Sequence, residues 1–335
     1  MNSHQIQRAL HPACAALFSG EIRFGECHKL TGGASAATWF VALYHNDRAR
    51  NLILRLDAGS DQFITGVGKT AEAKAQRAAG ENGAPVATVL HIFEKHPQLG
   101  NGYLMEALEG ESLAPRILKS EDYAAARDRL SAHCAQAMVR IHQTPLSRVN
   151  FLPLQDAATQ LEELQKLHLS FGEALPVFSL AFHWLQRHIP ACPAPALVHG
   201  DFRLGNLLVT KAGLNGVLDW ELCHLGDPME DIGWLCCRAW RFSRPHKPVG
   251  GFGERNDLFQ RYATLSGQEI DANRVRYWEL FANLKWGVIC QYQAYAHLRG
   301  QVRSVERAAI GRRVAETEYD MMQILHAIAE QTECH

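Results

Sequence analysis

Apolar and polar positions change rhythm along the chain. Over residues 1–20, Ile6, Leu10, Ala13, Leu17 and Phe18 fall at helical spacing, and Pro12 limits that run to a short helix or helix pair. From Ile22 the pattern shortens to β-like runs at 22–24, 38–43 and 52–56, with Asn46-Asp47 reading as the hairpin turn between the second and third. An Ala-rich stretch of helix formers covers 70–81, and two more strand-like runs, 88–92 and 103–108, flank a polar loop with Pro97 and Gly100. Residues 109–113 end the β rhythm. Beyond them the chain reads as helix at 123–142, as two helices within 155–189, and as helices at 274–298 and 305–328, punctuated by Pro145, Pro190, Pro193 and Pro195. The expected fold is α+β and two-lobed: a small N-terminal lobe over 1–108 with an antiparallel sheet, and a larger, mainly helical C-terminal lobe over 109–335.

The chemistry concentrates between two apolar runs, in Val198-His199-Gly200-Asp201-Phe202-Arg203-Leu204-Gly205-Asn206. Asp201 and Asn206 stand at the spacing of the His-x-Asp-x-x-x-x-Asn loop of kinases. Phosphoryl transfer needs such a pair, one group to accept the proton of an attacking hydroxyl and another to hold magnesium against the phosphates. A second apolar strand ends in Leu218-Asp219-Trp220-Glu221, where Asp219 can bind the same ion. Asp201 is therefore read as the catalytic base, Asn206 and Asp219 as magnesium ligands, and ATP as the donor. His199 either orients the loop or is a buried imidazole bonded to backbone. Arg203, beside Asp201, can neutralise charge on the transferring group.

Further residues fit the nucleotide. Arg55 lies near the end of the third β-like run, where kinases carry a lysine, and its guanidinium can hold phosphate oxygens bidentately. Glu72, in the helical stretch, is placed to orient it. Gly32, Gly33 and Ser35, in the turn before the second run, let backbone N–H groups approach phosphates. Backbone groups from Glu106 to Leu108, at the end of the last run, are expected to bond adenine. Gly66-Val67-Gly68-Lys69-Thr70 superficially suggests a P-loop, but Phe63 stands where that pattern requires a glycine, and the segment reads as a linker.

His199 to Asn206, Leu218 to Glu221, Leu225-Gly226-Asp227-Pro228 and Asp231-Ile232-Gly233-Trp234-Leu235 resemble the aminoglycoside phosphotransferase and choline kinase group. They are most similar to the branch that includes the kinase-like domains fused to acyl-CoA dehydrogenases, and the resemblance runs from about Leu30 to the C-terminus. It implies a protein-kinase-like fold and transfer of the γ-phosphoryl group of ATP to a hydroxyl of a small molecule, with Asp227 and Asp231 tying the catalytic loop down. Arg at position 55 is usual in that branch. The resemblance also suggests a hydroxyacyl-CoA acceptor, with an aminoglycoside or choline-type acceptor as the alternative. After Trp234 the chain offers Arg238, Trp240, Arg241, Phe242, Arg244, His246 and Lys247, a basic and aromatic segment suited to an anionic acceptor. Trp234, Arg238, Trp240 and Arg241 are accordingly expected to contact it. A polycationic aminoglycoside would instead need a cluster of carboxylates.

Composition narrows the picture further. With 335 residues, 21% charged and 47% hydrophobic, and a formal net charge of -1, the chain has neither the profile of a disordered protein nor that of a nucleic-acid binder. Its nine cysteines include no Cys-x-x-Cys pair and their number is odd, which points to reduced thiols and a cytoplasmic location. No signal-like N-terminus or apolar run of about 18 residues suggests export or a membrane span. Two rival readings stay open. One is a metal-dependent hydrolase using His199, Asp201, Asp219, His224 and Asp227; the other is a nucleotide-binding scaffold without turnover.

Overall fold

A computed structural model describes residues 1–30, 36–46, 48–57, 66–192, 194–242 and 244–333. Five strands, β1 (Ile22–Lys29), β2 (Ala36–His45), β3 (Arg48–Asp57), β4 (Val89–His96) and β5 (Gly100–Glu106), form one antiparallel sheet in the order β1-β2-β3-β5-β4. The hairpin register pairs His45 with Arg48, which puts the β2–β3 turn at the expected place. Alternation along β3 sends Leu52, Leu54 and Leu56 to one face and Ile53 and Arg55 to the other. The first face is closed by α1 (Ser3–Leu17), whose Ile6, Leu10 and Cys14 pack on Val41, Leu43, Leu52, Leu54 and Leu104.

α1 runs straight through Pro12, where the sequence suggested a limit. An interior proline costs about 3 kcal/mol through one lost backbone bond and a ring clash. Against this, Ile6, Ala9, Leu10 and Cys14 form one buried stripe spanning both sides of the proline, and burying each large apolar side chain returns roughly 1.5–3 kcal/mol. A capping box between Asn2 and Gln5 fixes the start.

The other face of the sheet is covered by α2 (Lys69–Glu81), with Ala73 against Val89, Tyr103 and Met105. The opposite side of α2, Ala75, Ala78 and Ala79, belongs to the main C-terminal core with Ala135 and Met138. One short, alanine-rich helix thus touches both cores.

Past β5 come α3 (Ala114–Lys119), α4 (Ala124–His142), α5 (Ala157–Ser170) and α6 (Pro176–Arg187). Two small antiparallel ladders follow: β6 (Ala196–Val198) with β9 (His224–Gly226), and β7 (Leu207–Thr210) with β8 (Gly213–Val217). Helices α7 (Met229–Cys236), α8 (Arg255–Ser266), α9 (Ala272–Leu298), α10 (Val305–Gly311) and α11 (Val314–Glu333) complete the chain. The single helix expected over 305–328 is two. α10 lies so close to α9 that a side chain at Gly311 would press on the Ala294 backbone, and the chain turns there before α11 begins. α9 is buried on several sides and acts as the central post of this lobe. Among the described residues no helix is long and apolar enough to cross a membrane. The eight described cysteines are free thiols, and burial pushes Cys236 and Cys237 up to about 12, which makes them inert at neutral pH.

Candidate active site

The loop from β6 to β7 carries Asp201, and its shape is dictated by one glycine and one buried carboxylate. Gly200 sits at φ 80°, with the Leu222 carbonyl where a Cβ would be, so no other residue fits without moving the 220–222 turn. Asp231, at zero exposure on α7, accepts the backbone N–H of His199 at 2.8 Å and of Gly200 at 2.9 Å. His142 stands behind it, its Nε2 3.0 Å from Asp231 and its Nδ1 2.8 Å from the Tyr262 hydroxyl. His199 Nδ1 accepts the Asp201 N–H at 3.2 Å while its Nε2 lies 3.0 Å from the Leu218 carbonyl. That pairing assigns the proton to Nε2. The two readings of His199 are therefore one: a fully buried imidazole, bonded to backbone, that fixes the spacing between Asp201 and the Asp219 strand end.

Asp201 is aimed by three donors. Its Oδ1 accepts from Trp234 Nε1 at 2.8 Å and Arg203 Nε at 3.0 Å, and its Oδ2 accepts from Asn206 Nδ2 at 2.5 Å. Asn206 Nδ2 also bonds the Asp201 carbonyl, which turns its Oδ1, the atom that can bind a metal, the other way. Asp219 follows β8 in the left-handed conformation at φ 65°, a strained geometry for a non-glycine residue of the kind that collects at functional sites. Burial opposes its charge, but Arg55, by charge and hydrogen bond, and Lys69 outweigh that and hold the carboxyl below its usual range. Asn206 and Asp219 thus offer hard oxygen donors of the type magnesium takes.

On the nucleotide side Arg55 bridges two carboxylates, with Nη2 2.7 Å from Asp219 Oδ1 and Nε 3.3 Å from Glu72 Oε1. Glu72 is fully buried, accepts the Tyr103 hydroxyl at 2.7 Å and meets Lys69 Nζ at 2.5 Å. The expected Arg55–Glu72 pair is present. Lys69, assigned to a linker by sequence, is instead a buried first residue of α2. Glu106 closes β5 with its amide already bonded to the Thr88 carbonyl, so of its backbone groups only the carbonyl is left for adenine. Leu108 packs close to Gly216. Gly32, Gly33 and Ser35 lie outside the described residues.

The sequence profile of the phosphotransferase enzyme family (APH) matches residues 26–267, most of the chain and all of the groups described above. The chain belongs to that family. Over an alignment of 220 positions that takes in 61% of the chain, the sequence is 29% identical to acyl-CoA dehydrogenase family member 10 of Mus musculus, but it covers only 19% of that longer protein. A Ralstonia eutropha JMP134 protein, provisionally assigned as an aminoglycoside phosphotransferase, superposes with a TM-score of 0.75 at 21% identity over 98% of both chains. Spectinomycin phosphotransferase, solved with ADP and spectinomycin, superposes with a TM-score of 0.62 at 12% identity over 96% of this chain and 99% of its own. These likenesses show the protein-kinase-like fold.

In this chain the segment after Trp234 is arranged differently from the expectation. Trp234 does reach Asp201, and the Trp240 ring lies 5.3 Å from the Trp234 ring, tilted by 51°, with the Arg203 guanidinium 4.7 Å over the Trp240 ring. Arg241, however, is spent inside the protein. It donates to the Cys236 carbonyl and lies 2.7 Å from Glu279, which it shares with Arg255. Arg238 pairs with Asp320 at 3.0 Å against the Tyr319 ring, and Lys247 pairs with Glu254 at 2.9 Å. What sequence read as a basic acceptor surface is largely a set of ion pairs tying 238–247 to α8, α9 and α11. Asp227 is a second correction. It accepts from Arg274 at 2.6 and 2.7 Å and from Trp278 at 2.8 Å, anchoring α9 rather than the catalytic loop. His224 is held by Glu230 at 3.0 Å, and among the described residues no three of the groups in the hydrolase reading come together as a metal-binding set.

A cavity of about 430 Å³ opens instead beside the 221–224 turn, between α5 and α9. Leu164, Leu167, Phe281 and Ile289 give it an apolar side, and Lys285, His224, Glu163 and Glu221 a polar one. Lys285 Nζ sits 5.1 Å from the centre of the Trp234 ring, one indole away from Asp201. Sequence reasoning missed Lys285 because its partner Glu230 and the cavity lie on elements far from α9 in the chain, and missed His142 and Tyr262 because their partners are 89 residues or more distant.

The Asp231 anchor has a pH signature. Burial works against its charge, but the His142 hydrogen bond and charge, His199 and the His199 amide hold it below the usual carboxylate range. A depressed folded pKa contributes stability above the unfolded value of about 3.9, and that contribution is lost as pH falls through the folded value. Thermal unfolding of wild type and Asp231→Asn should therefore differ most near neutrality, by about 2–4 kcal/mol. The difference should shrink below about pH 4; one that grew with acid would contradict the assignment.

Proposed function

We propose that the cleft catalyses magnesium-dependent transfer of the γ-phosphoryl group of ATP to the hydroxyl of a small molecule. The observation that carries this reading is the convergence of Asp201, Asn206 and Asp219, with Asp201 oriented by three donors and Asp219 paired to Arg55. The acceptor oxygen bonds to the γ-phosphorus, the bond from that phosphorus to the β–γ bridging oxygen breaks, ADP leaves, and the hydroxyl proton passes to Asp201. Asn206 and Asp219 would hold magnesium, which when bound neutralises charge on the phosphates. Arg55 and the glycine-containing segment 31–35 would hold the triphosphate, and the Glu106–Leu108 backbone the adenine. Arg203 stands where it can offset charge on the transferring group.

For the acceptor we propose the cavity beside Lys285. Its lining is apolar on one side, and on the other Lys285 and His224 are both paired with buried Glu230, at 3.5 and 3.0 Å, beside Glu163 and Glu221. That suits a molecule with an apolar body and few charges, such as the acyl part of a hydroxyacyl thioester of coenzyme A, in keeping with the similarity to an acyl-CoA dehydrogenase family member. A polycation would find only two carboxylates there. Hydroxyacyl-CoA esters of graded chain length should give acceptor-dependent ADP release, and Lys285→Met should raise the acceptor KM without changing nucleotide affinity. Efficient phosphorylation of a kanamycin-type polyamine, with none of the thioesters, would overturn the acceptor assignment.

A further inference from the structure

Lys69 has no part in the reaction described so far, yet it is a buried cation 2.5 Å from the carboxylate that orients Arg55. Five charged groups form a chain: Asp219 to Arg55 at 2.7 Å, Arg55 to Glu72 at 3.3 Å, Glu72 to Lys69 at 2.5 Å, and Lys69 to Glu221 at 3.7 Å, two residues beyond Asp219. The backbone reinforces its last link, since Val67 N–H donates to the Glu221 carbonyl at 3.0 Å just before α2 begins. Gly68, at φ 78°, makes the turn into the helix.

The two oxygens of Glu72 are divided. Oε1 takes the Tyr103 hydroxyl and faces Arg55 Nε, while Oε2 takes Lys69. Arg55 Nε is buried and makes no hydrogen bond, so its approach to Glu72 is a loose ion pair. An unopposed arginine and carboxylate favour a tighter arrangement with two parallel N–H···O bonds. That arrangement needs the second carboxylate oxygen, which Lys69 occupies.

We propose that Lys69 is a positioning residue for Arg55: by holding Glu72 Oε2 it prevents Arg55 from closing on Glu72 as a bidentate pair, and so keeps the outer guanidinium nitrogens turned toward Asp219 and the triphosphate. The proposal rests on the reading of Arg55 as a phosphate ligand. With 3% exposure and two carboxylate partners, Lys69 itself does not reach the nucleotide. Its removal frees Oε2, and Arg55 swings onto Glu72.

The full-length protein is titrated calorimetrically with a non-hydrolysable ATP analogue plus magnesium, and by competition with adenosine, which has no phosphates. Lys69→Met is expected to weaken the analogue by about tenfold, the size of one lost charge-assisted contact. Adenosine affinity should be unchanged, and Lys69→Arg should restore most of the loss. If Lys69→Met does not fold, the charge-balanced Lys69→Met/Glu221→Gln is measured by the same criteria. Equal losses for analogue and adenosine, or no loss for either, would overturn the proposal. Arg55→Ala separates the two layers: should it bind the analogue normally, the phosphate-ligand reading itself fails. Should it lose the analogue while Lys69→Met keeps it, only the role of Lys69 fails.

Discussion

Asp201→Asn is expected to bind nucleotide and magnesium as the wild type does and to turn over about 10²–10⁴ times more slowly, the usual contribution of a general base. The separation follows from geometry. Asp201 faces Trp234, Arg203 and Asn206 and makes no contact with Arg55 or Glu72, so the nucleotide grip does not depend on its charge. An amide at this position keeps the shape and can still accept from Trp234, but it has lost the basic oxygen. Steady-state rates combined with calorimetry on the same preparation check both halves. Full turnover in Asp201→Asn would remove Asp201 from the proton-transfer step, and a parallel loss of nucleotide affinity would make its role structural.

Asp219→Asn is expected to abolish measurable turnover for a different reason. Asp219 would supply an oxygen to the metal and also receives Arg55 at 2.7 Å, so its neutralisation should weaken both holds on the triphosphate. Magnesium-dependent nucleotide affinity should drop by at least tenfold, a loss of about 1.4 kcal/mol or more. Binding without magnesium should change much less. The backbone at φ 65° tolerates asparagine as well as aspartate, so the fold should survive. Equal losses with and without the metal would argue against Asp219 as a metal ligand.

The sheet, the catalytic loop and the Arg55–Glu72 pair were legible because each depends on local pattern or fixed spacing. Alternation marks a sheet with a helix on each face, and Asp201 to Asn206 is a five-residue interval that no tertiary detail alters. Helices α7 and α8 were not legible. All eight residues of α7 are buried, which erases periodicity, and α8 buries only Leu258 and Tyr262, which leaves almost none. The basic run after Trp234 misled for a physical reason. A cluster of arginines looks like an anion site until the buried Glu279 and partly buried Asp320 on later helices appear as their partners. Lys69 was lost in the same way, since its value comes from Glu72 three residues on and from Glu221, which lies 152 positions away in the chain and 3.7 Å away in space.

The most direct test of the cleft as a phosphotransferase site is ³¹P NMR of the protein incubated with ATP, magnesium and a panel of hydroxylated small molecules that includes hydroxyacyl-CoA esters. The account predicts a phosphate monoester resonance that grows in step with ADP for at least one acceptor, requires magnesium, and nearly vanishes with Asp201→Asn. Monoester formation at the wild-type rate in Asp201→Asn, or tight magnesium–nucleotide binding with no monoester from any acceptor, would contradict it.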